Sequence, residues 1–547
     1  MGPIPPGKGS AVLATRMIGN NPVMDPIPRP HIDSAMAGPA ADGTENPPAA
    51  GTLPAAPPGL DTDPAATASV PGVPRDPPWL GRCGGWLRKN PALEWVLLFL
   101  VIQAVVDVDG FVNSYSRWAT LSAMSEYRTF RIDAYQSHTI DWAQTPDGHY
   151  YSNKAPGPAL LGYPLFAVMD KLATRGLTTP EARDAKRLEH RRTILHWLSF
   201  ATQALPMGVL VLLLIGVLCR QGYPLWVVHA TTVALLFGQT GALFMNTYFG
   251  HGFVVLAVVL LILALIRDKP VWMGIALGVA VLSDYSGMLL LPGVALALGI
   301  ERRLSFRRLG FIAAGAAVPA ALFAYYHWRC FGAPWILANK FQNTGFVDLA
   351  EDRRALWGII RIVPKLEVIG ELLAGKTRGL LFTQPWTLLL LGVLPLWFPW
   401  RKRSSQPGRI PRGMGYFALV TFFLAVWMNA SFGQWHGGAT PGPRYLSVAL
   451  PALALLLPIL FSGGPAFFRH LLVATVAFAV LPFFLLYSTT DILSQPGNAI
   501  LPAYLRMLSG NGESLERAVF LVAGFAFVGY RAYRASVSTA LAPAGER

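Results

Sequence analysis

Residues 250–300 read GHGFVVLAVVLLILALI, then RDK, then PVWMGIALGVAVLS, DYSG and MLLLPGVALALGI. Three apolar runs are separated by two short polar turns, and no run alternates apolar with polar residues. Strands of a membrane barrel would alternate over about ten residues. Uncharged runs of this kind are the signature of helices that cross a bilayer. Working outward, the same pattern recurs near 91–108, 193–218, 223–246, 309–327, 379–400, 414–430, 445–461, 470–487 and 515–530. With the runs at 250–266, 271–283 and 285–300 that makes about twelve spans. Around Ser283-Asp284-Tyr285 one tilted helix is the alternative to two short ones. The fold class expected is an all-α polytopic membrane protein.

Composition agrees. Of 547 residues 53% are hydrophobic and 14% charged, with a mean hydropathy of +0.41. A soluble domain carries about 25% charged residues, so an ordinary soluble enzyme is excluded. The formal charge of +15 fits cytoplasmic loops that set membrane orientation, and no nucleic-acid partner is expected. Cys83, Cys219 and Cys330 lie far apart, so neither a disulfide framework nor a zinc site is indicated.

Residues 1–78 hold 18 of the 45 prolines and no Phe, Tyr or Trp. A segment so poor in apolar surface is expected to be disordered, and its charges do not make it a basic lipid-binding arm. Met17, Met24 and Met36 are alternative starts. The rest, 79–547, is expected to form one transmembrane domain. Arg82, Arg88 and Lys89 precede the first span and place the tail in the cytoplasm. Arg220, Arg267, Lys269, Arg302, Arg303, Arg307, Arg308, the RKR at 401–403, Arg409, Arg412, Arg469, Arg531 and Arg534 then fall on that same side. Both termini come out cytoplasmic.

Two outer loops are large, about 107–192 and 328–378, too long to be structureless. Tyr115–Arg128, Ala159–Leu172 and Ala355–Leu373 are expected as aromatic-rich helices on the membrane surface.

Unusual polar residues gather at the outer ends of spans. Asp107 and Asp109 leave the first span, followed by Asn113 and Arg117. Asp133, Asp141, Asp147, His149 and Lys154 crowd the first loop. Asn246 and His251, Asp284 and Tyr285, Arg378, and Trp435, His436 and Arg444 follow. Each has a plainer reading as a solvated helix end, a turn residue or a packing histidine. An ionisable group at membrane depth nevertheless costs about 3 kcal/mol. Their shared side is therefore the stronger signal. Carboxylates beside Lys and Arg at a lipid–water boundary suit a reaction between a phosphate-bearing lipid and a polar acceptor. The cations would clamp the phosphate and an Asp would take the acceptor's proton. No Walker loop or dinucleotide fingerprint suggests a soluble nucleotide donor.

The stretch from Ser116 to Pro164, with SRWATLSAM, FRID, TIDW and DGHYYSNKAPG, resembles the first outer loop of bacterial membrane glycosyltransferases of the GT-C superfamily. The nearer types are the protein mannosyltransferases and lipid A aminoarabinose transferases. FGHG at 249–252, AVLSDYSG at 280–287, RGLLFTQPW at 378–386 and QWHGGATPGPRY at 434–445 resemble further landmarks of a poorly characterised bacterial branch, in the expected order.

The resemblance implies an undecaprenyl-phosphate-linked sugar as donor, an inner-membrane location with a periplasmic site, and an acidic pair as base or metal site. Asp107-Val108-Asp109 has the DxD form and would be the place of a divalent metal, if one is used. Asn113 stands where relatives carry an acidic residue, which leaves the base open among Asp109, Asp133 and Asp141. Arg117, Lys154 and Arg444 would contact the lipid phosphate. Further site candidates are Asp107, His149, His251, Asp284, Tyr285, Arg378, Trp435 and His436. The function expected is sugar transfer to a glycolipid, polysaccharide or protein. The alternatives are an O-antigen polymerase or ligase, and a transporter or lipid flippase. A transporter should show paired halves with interrupted helices, and no such repeat is found.

Overall fold

The structure, a computed structural model, describes residues 92–108, 111–343, 361–397, 410–438, 440, 442–461, 466–488 and 512–541. Residues 1–78, Asp109, 355–360 and the RKR at 401–403 lie outside them. The described chain is all-α apart from one small hairpin. Four helices are long and apolar enough to cross a membrane: Pro180–Arg220, Phe306–Phe331, Gly413–Ser431 and Phe467–Tyr487. Shorter apolar helices accompany them.

In chain order the helices that matter here are α1 (Leu93–Val105), α2 (Val112–Glu126), α3 (Gly157–Ala173), α4 (Pro180–Ser199) and α5 (Leu205–Arg220). They are followed by α6 (Leu225–Leu236), α7 (Gly250–Ile266), α8 (Pro270–Ser283), α9 (Leu290–Ile300) and α10 (Phe306–Phe331). The last are α11 (Leu366–Ala374), α12 (Pro385–Trp397), α13 (Gly413–Ser431), α14 (Leu481–Ser488) and α15 (Gly512–Leu541).

Several expected spans are interrupted, each for a local reason. The run 223–246 is helical only to Leu236, where the GQTG of 238–241 stops it. A 3₁₀ turn (Thr240–Phe244) and the left-handed Tyr248 (φ 51°) then lead into α7. Asp284 breaks 271–300 into two helices by accepting the Ser286 amide at 2.9 Å. Between α4 and α5 a π-turn spans Phe200–Ala204. Pro206, which has no N–H to donate, follows immediately.

The first and last helices are tied by aromatic packing. Phe237, just past α6, meets Phe483 of α14 at 5.1 Å and Phe525 of α15 at 4.7 Å between ring centroids. Trp95 and Phe99 of α1 complete the knot at 6.2 and 5.8 Å from the Phe237 ring. Such edge-to-face pairs add about 0.5–1.5 kcal/mol each beyond burial.

The first large loop has a fold of its own. α2 and α3 occupy the two stretches expected to be helical. Between them lies an antiparallel hairpin of β1 (Trp142–Gln144) and β2 (Tyr150–Ser152), with Trp142 opposite Ser152. The all-α expectation omitted it. Its signal is the Asp147-Gly148 pair, Gly148 at φ 85°, between two short aromatic runs. Gln342 bridges to Ala143, and the Asn343 amide donates to Trp142 O at 3.0 Å, so the second loop begins on the hairpin's edge.

A buried ionic clamp joins α2, α3 and α4. The Arg187 guanidinium grips Asp170 through Nε at 2.7 Å and Nη2 at 2.9 Å. Its Nη1 reaches Glu126 at 2.7 Å and Asp184 at 2.8 Å. Arg183 also holds Glu126, and Tyr127 donates to Asp184 at 2.7 Å.

Candidate functional site

Three chain segments converge on Ser283. At Gly157, which opens α3, an added Cβ would lie 2.6 Å from Ser283 Cα. At Gly250, which opens α7, it would lie 2.3 Å from Ser283 O and 3.0 Å from Arg117 Nη2. Only residues without a side chain permit this approach. The end of α8, the start of α7 and the start of α3 are thereby fixed around Asp284.

On α7, His251 Nδ1 lies 3.3 Å from Asp284 Oδ2. Arg117 sits on α2 with 4% of its surface exposed and donates through Nη1 to Asn113 O at 3.1 Å and to the Asn113 side chain. Asp141 and Lys154 flank the hairpin and pair at 2.9 Å. Two serines position them. Ser116 Oγ donates to Asp141 O at 2.6 Å and stands 2.6 Å from Ser152 Oγ, which accepts the Lys154 amide at 3.2 Å.

The C-terminal half approaches from the same end of the bundle. The Gly413 amide donates to Glu301 at 2.8 Å, so α13 starts where α9 ends and finishes near Asp284. The loop after α13 carries Trp435, His436 and Arg444. Arg444 lies over the Tyr445 ring at 5.0 Å and the Phe249 ring at 6.0 Å. Tyr445 meets His251 edge-on at 5.7 Å, which joins the two halves. Gly437 (φ 70°) would place a Cβ 3.0 Å from Arg444 Cγ and Nε.

Burial sets the electrostatics. It pulls Arg117 down to about 10, against the pull of Asp284 and Asp141. Burial also lowers Lys154, opposed by Asp141. Arg378 falls to about 10 through burial and then Arg444. His436 is lowered by burial, Arg378 and Arg444. Asp141 and Asp284 act on Arg117, and Asp141 on Lys154; with Arg378 and Arg444 added, four guanidinium or ammonium groups stand against two carboxylates, which leaves a net positive site.

The other candidates stand elsewhere. Asp133 is exposed, pairs with His149 at 2.8 Å and accepts the Tyr150 amide at 2.7 Å; it fastens the hairpin. Asp107 faces Arg192 at 3.5 Å. Tyr285 donates to His327 Nε2 at 3.0 Å, since His327 Nδ1 is engaged with Phe323 O at 2.8 Å. Trp435 packs edge-on against His436 at 6.2 Å. Among the described residues no group of three or more His, Cys, Asp or Glu stands close enough to hold a metal ion.

Residues that sequence reasoning passed over are Ser116, Ser152, Ser283, Phe249 and Tyr445. Each adjoins a residue or motif already singled out, and adjacency was their only signal. No family model matches the chain, and neither a curated protein nor a solved structure does. The fold and site define an almost wholly helical protein with four helices long and apolar enough to cross a membrane and a buried, net-cationic cluster at one end of the bundle.

Proposed function

We propose that the chain is a polytopic inner-membrane glycosyltransferase of about twelve spans with both termini in the cytoplasm. It moves a sugar from a polyprenyl-phosphate donor to an acceptor on the periplasmic face. One observation carries the reading: KAPG, FGHG, SDYSG and the loop ending in PGPRY, spread over residues 154–445, contribute neighbouring groups to one buried cluster. The turns after α7 (Arg267, Lys269) and α9 (Arg302, Arg303), both basic, lie at the far ends of those helices from the cluster, as a cytoplasmic face would.

In the reaction an acceptor hydroxyl or amine attacks the anomeric carbon, and the bond from that carbon to the phosphate oxygen breaks. The phosphate leaves with its electron pair in the field of Arg117, Lys154 and Arg444. Asp141 is the base. It is the one carboxylate of the three candidates that stands among these cations within the described residues, where Lys154 holds it at 2.9 Å. Asp284, held by Ser286 and facing His251, positions the histidine beside the leaving group.

The test is turnover with a labelled polyprenyl-phosphate sugar and membrane-extracted acceptor. Asp141→Asn should lose about 10²–10⁴ in rate while still binding donor. Near-full turnover in that variant rules Asp141 out. Donor that crosses the bilayer without sugar transfer would make the chain a flippase.

A further inference from the structure

We infer that Arg378, His436 and Arg444 form the seat of a phosphate ester whose prenyl chain lies in the apolar groove between α11, α12 and α13. The inference rests on the lipid-phosphate reading above and deepens it by separating the cations that are balanced from those that are not. Arg117 and Lys154 face Asp141 and Asp284, so their charge is compensated within the protein. The charged groups that bear on Arg378 are Arg444 and the Tyr445 hydroxyl, and those that bear on His436 are Arg378 and Arg444; no carboxylate is among them.

The hydrogen bonding agrees. Arg378 is 4% exposed, yet its Nη1 has no partner among the described residues, and Arg444 Nε has none either. A buried guanidinium nitrogen without an acceptor is costly. It is retained where an anion completes it. His436 Nδ1 accepts the Gly438 amide at 3.1 Å, so the neutral ring carries its proton on Nε2 and can donate to an oxyanion without being charged. Two guanidinium groups and one imidazole N–H match the oxygens of a phosphate monoester or diester.

A groove of about 540 Å³ supplies the second half of the argument. Its walls include Ile369 and Leu373 of α11, Leu391 of α12, and Phe422, Val426 and Trp427 of α13. Arg378 stands on the connection between α11 and α12, and His436 follows the end of α13. The chains that line the groove therefore also carry the seat. Leu373 precedes Arg378 by five positions and Trp427 precedes His436 by nine, and an apolar slot on the chains that carry a cationic seat fits a lipid-borne phosphate better than a free one.

The experiment measures binding to the purified full chain in detergent, without sugar or acceptor, using farnesyl phosphate, inorganic phosphate and farnesol. Farnesyl phosphate should bind and raise the unfolding midpoint. Inorganic phosphate should compete only at far higher concentration, and farnesol should do neither. Arg378→Gln should weaken farnesyl phosphate roughly ten- to hundredfold, with Arg378→Lys intermediate and His436→Ala weaker than native. The ligand-free Arg378→Gln protein should melt no earlier than native, because a buried unpaired charge is gone. Val426→Trp, which fills the groove, should weaken farnesyl phosphate and leave inorganic phosphate unchanged.

Native affinity in both Arg378→Gln and His436→Ala overturns the seat, and so does an early-melting Arg378→Gln. Equal affinity for the free and prenylated phosphates overturns the groove. Binding as expected in a protein that transfers no sugar would instead refute the glycosyltransferase reading and leave the seat standing.

Discussion

Ser283 shows how little space the site has. Two glycines touch it, and one of them also touches Arg117. Alanine at 250 would bring a Cβ to 2.3 Å from a backbone oxygen, a contact that only a shift of α7 or α8 relieves. Overpacking of this kind typically costs about 1–3 kcal/mol. Gly250→Ala should therefore melt several degrees below native and lose donor binding, because Arg117 is displaced. Gly299→Ala is the control: nothing lies within 4 Å of its Cβ, and its melting point should be unchanged. Equal midpoints for the two variants, read by thermal unfolding in detergent, would show that the convergence on Ser283 is not tight. Gly437→Ala should act mainly on Arg444, through the left-handed backbone and the 3.0 Å approach to its stem.

Legibility also differs residue by residue. Arg117, Lys154, His251, Asp284 and Arg444 were conspicuous because charge is rare beside apolar runs. Asp133 and Asp107 were just as conspicuous, yet one fastens a hairpin and the other faces Arg192. Spacing in the chain carries no information on which carboxylate a cation will meet. The serines and Tyr445 were invisible because such residues are ordinary at helix ends.

At the scale of elements, the clamp that joins α2, α3 and α4 is the feature with the clearest energetics. Arg187 is 2% exposed and serves Asp170 and Glu126 at once. Removing it leaves the buried Asp170 without this counter-charge and Glu126 with Arg183 alone; breaking a buried pair in this way costs about 3–5 kcal/mol. Arg187→Ala should therefore free the loop from the bundle, seen as rapid proteolysis between residues 126 and 187. A loop as resistant as native would contradict this. The hydrogen bond from Arg183, aided by Arg187 and opposed by burial, holds the Glu126 carboxyl down at about 2. A depressed carboxylate contributes stability above its unfolded pKa of about 4.3, and loses that contribution as pH falls towards the folded value. The stability gap between native protein and Glu126→Gln should thus be constant above about pH 5 and close as pH is lowered towards 2. A gap that widens on acidification would reverse the assignment. None of this was legible in the sequence, since Glu126 and Arg183 stand 57 positions apart. What was legible was α2 and α3, whose apolar residues recur at helical spacing. The interruptions at Leu236 and Asp284 were only half legible: a run of apolar residues gives the length available to a helix, but local polar groups decide where hydrogen bonding changes.

For the whole molecule the deciding quantity is which end of the bundle faces the cytoplasm. α7 runs from His251 to Ile266 and α8 returns from Pro270 to Ser283, so the turn at 267–269 lies at the opposite end from Asp284. That turn meets the next one: Asp268 pairs with Arg303 at 2.5 Å and Arg308 at 2.8 Å. The basic residues at this end outnumber their carboxylate partners, whereas the site end keeps its cations buried around Asp141 and Asp284. Short loops rich in Lys and Arg stay in the cytoplasm during insertion, so the topology proposed above has Arg307 and Arg403 inside and the hairpin outside. Reporter fusions after Arg307 and Arg403 should be active only as cytoplasmic reporters, and fusions near Asp147 and Gly438 only as periplasmic ones. The Asp147 fusion carries the greatest weight, because the hairpin brings Asp141 and Lys154 to the cluster. A cytoplasmic result there would place the cluster where no lipid-linked sugar awaits an outer acceptor, and sugar transfer would have to give way to a different chemistry. A periplasmic result at Asp147 with a cytoplasmic one at Gly438 would be equally decisive. It would separate Arg444 from Asp284 by the full thickness of the membrane, although the Tyr445 ring lies 5.7 Å from His251.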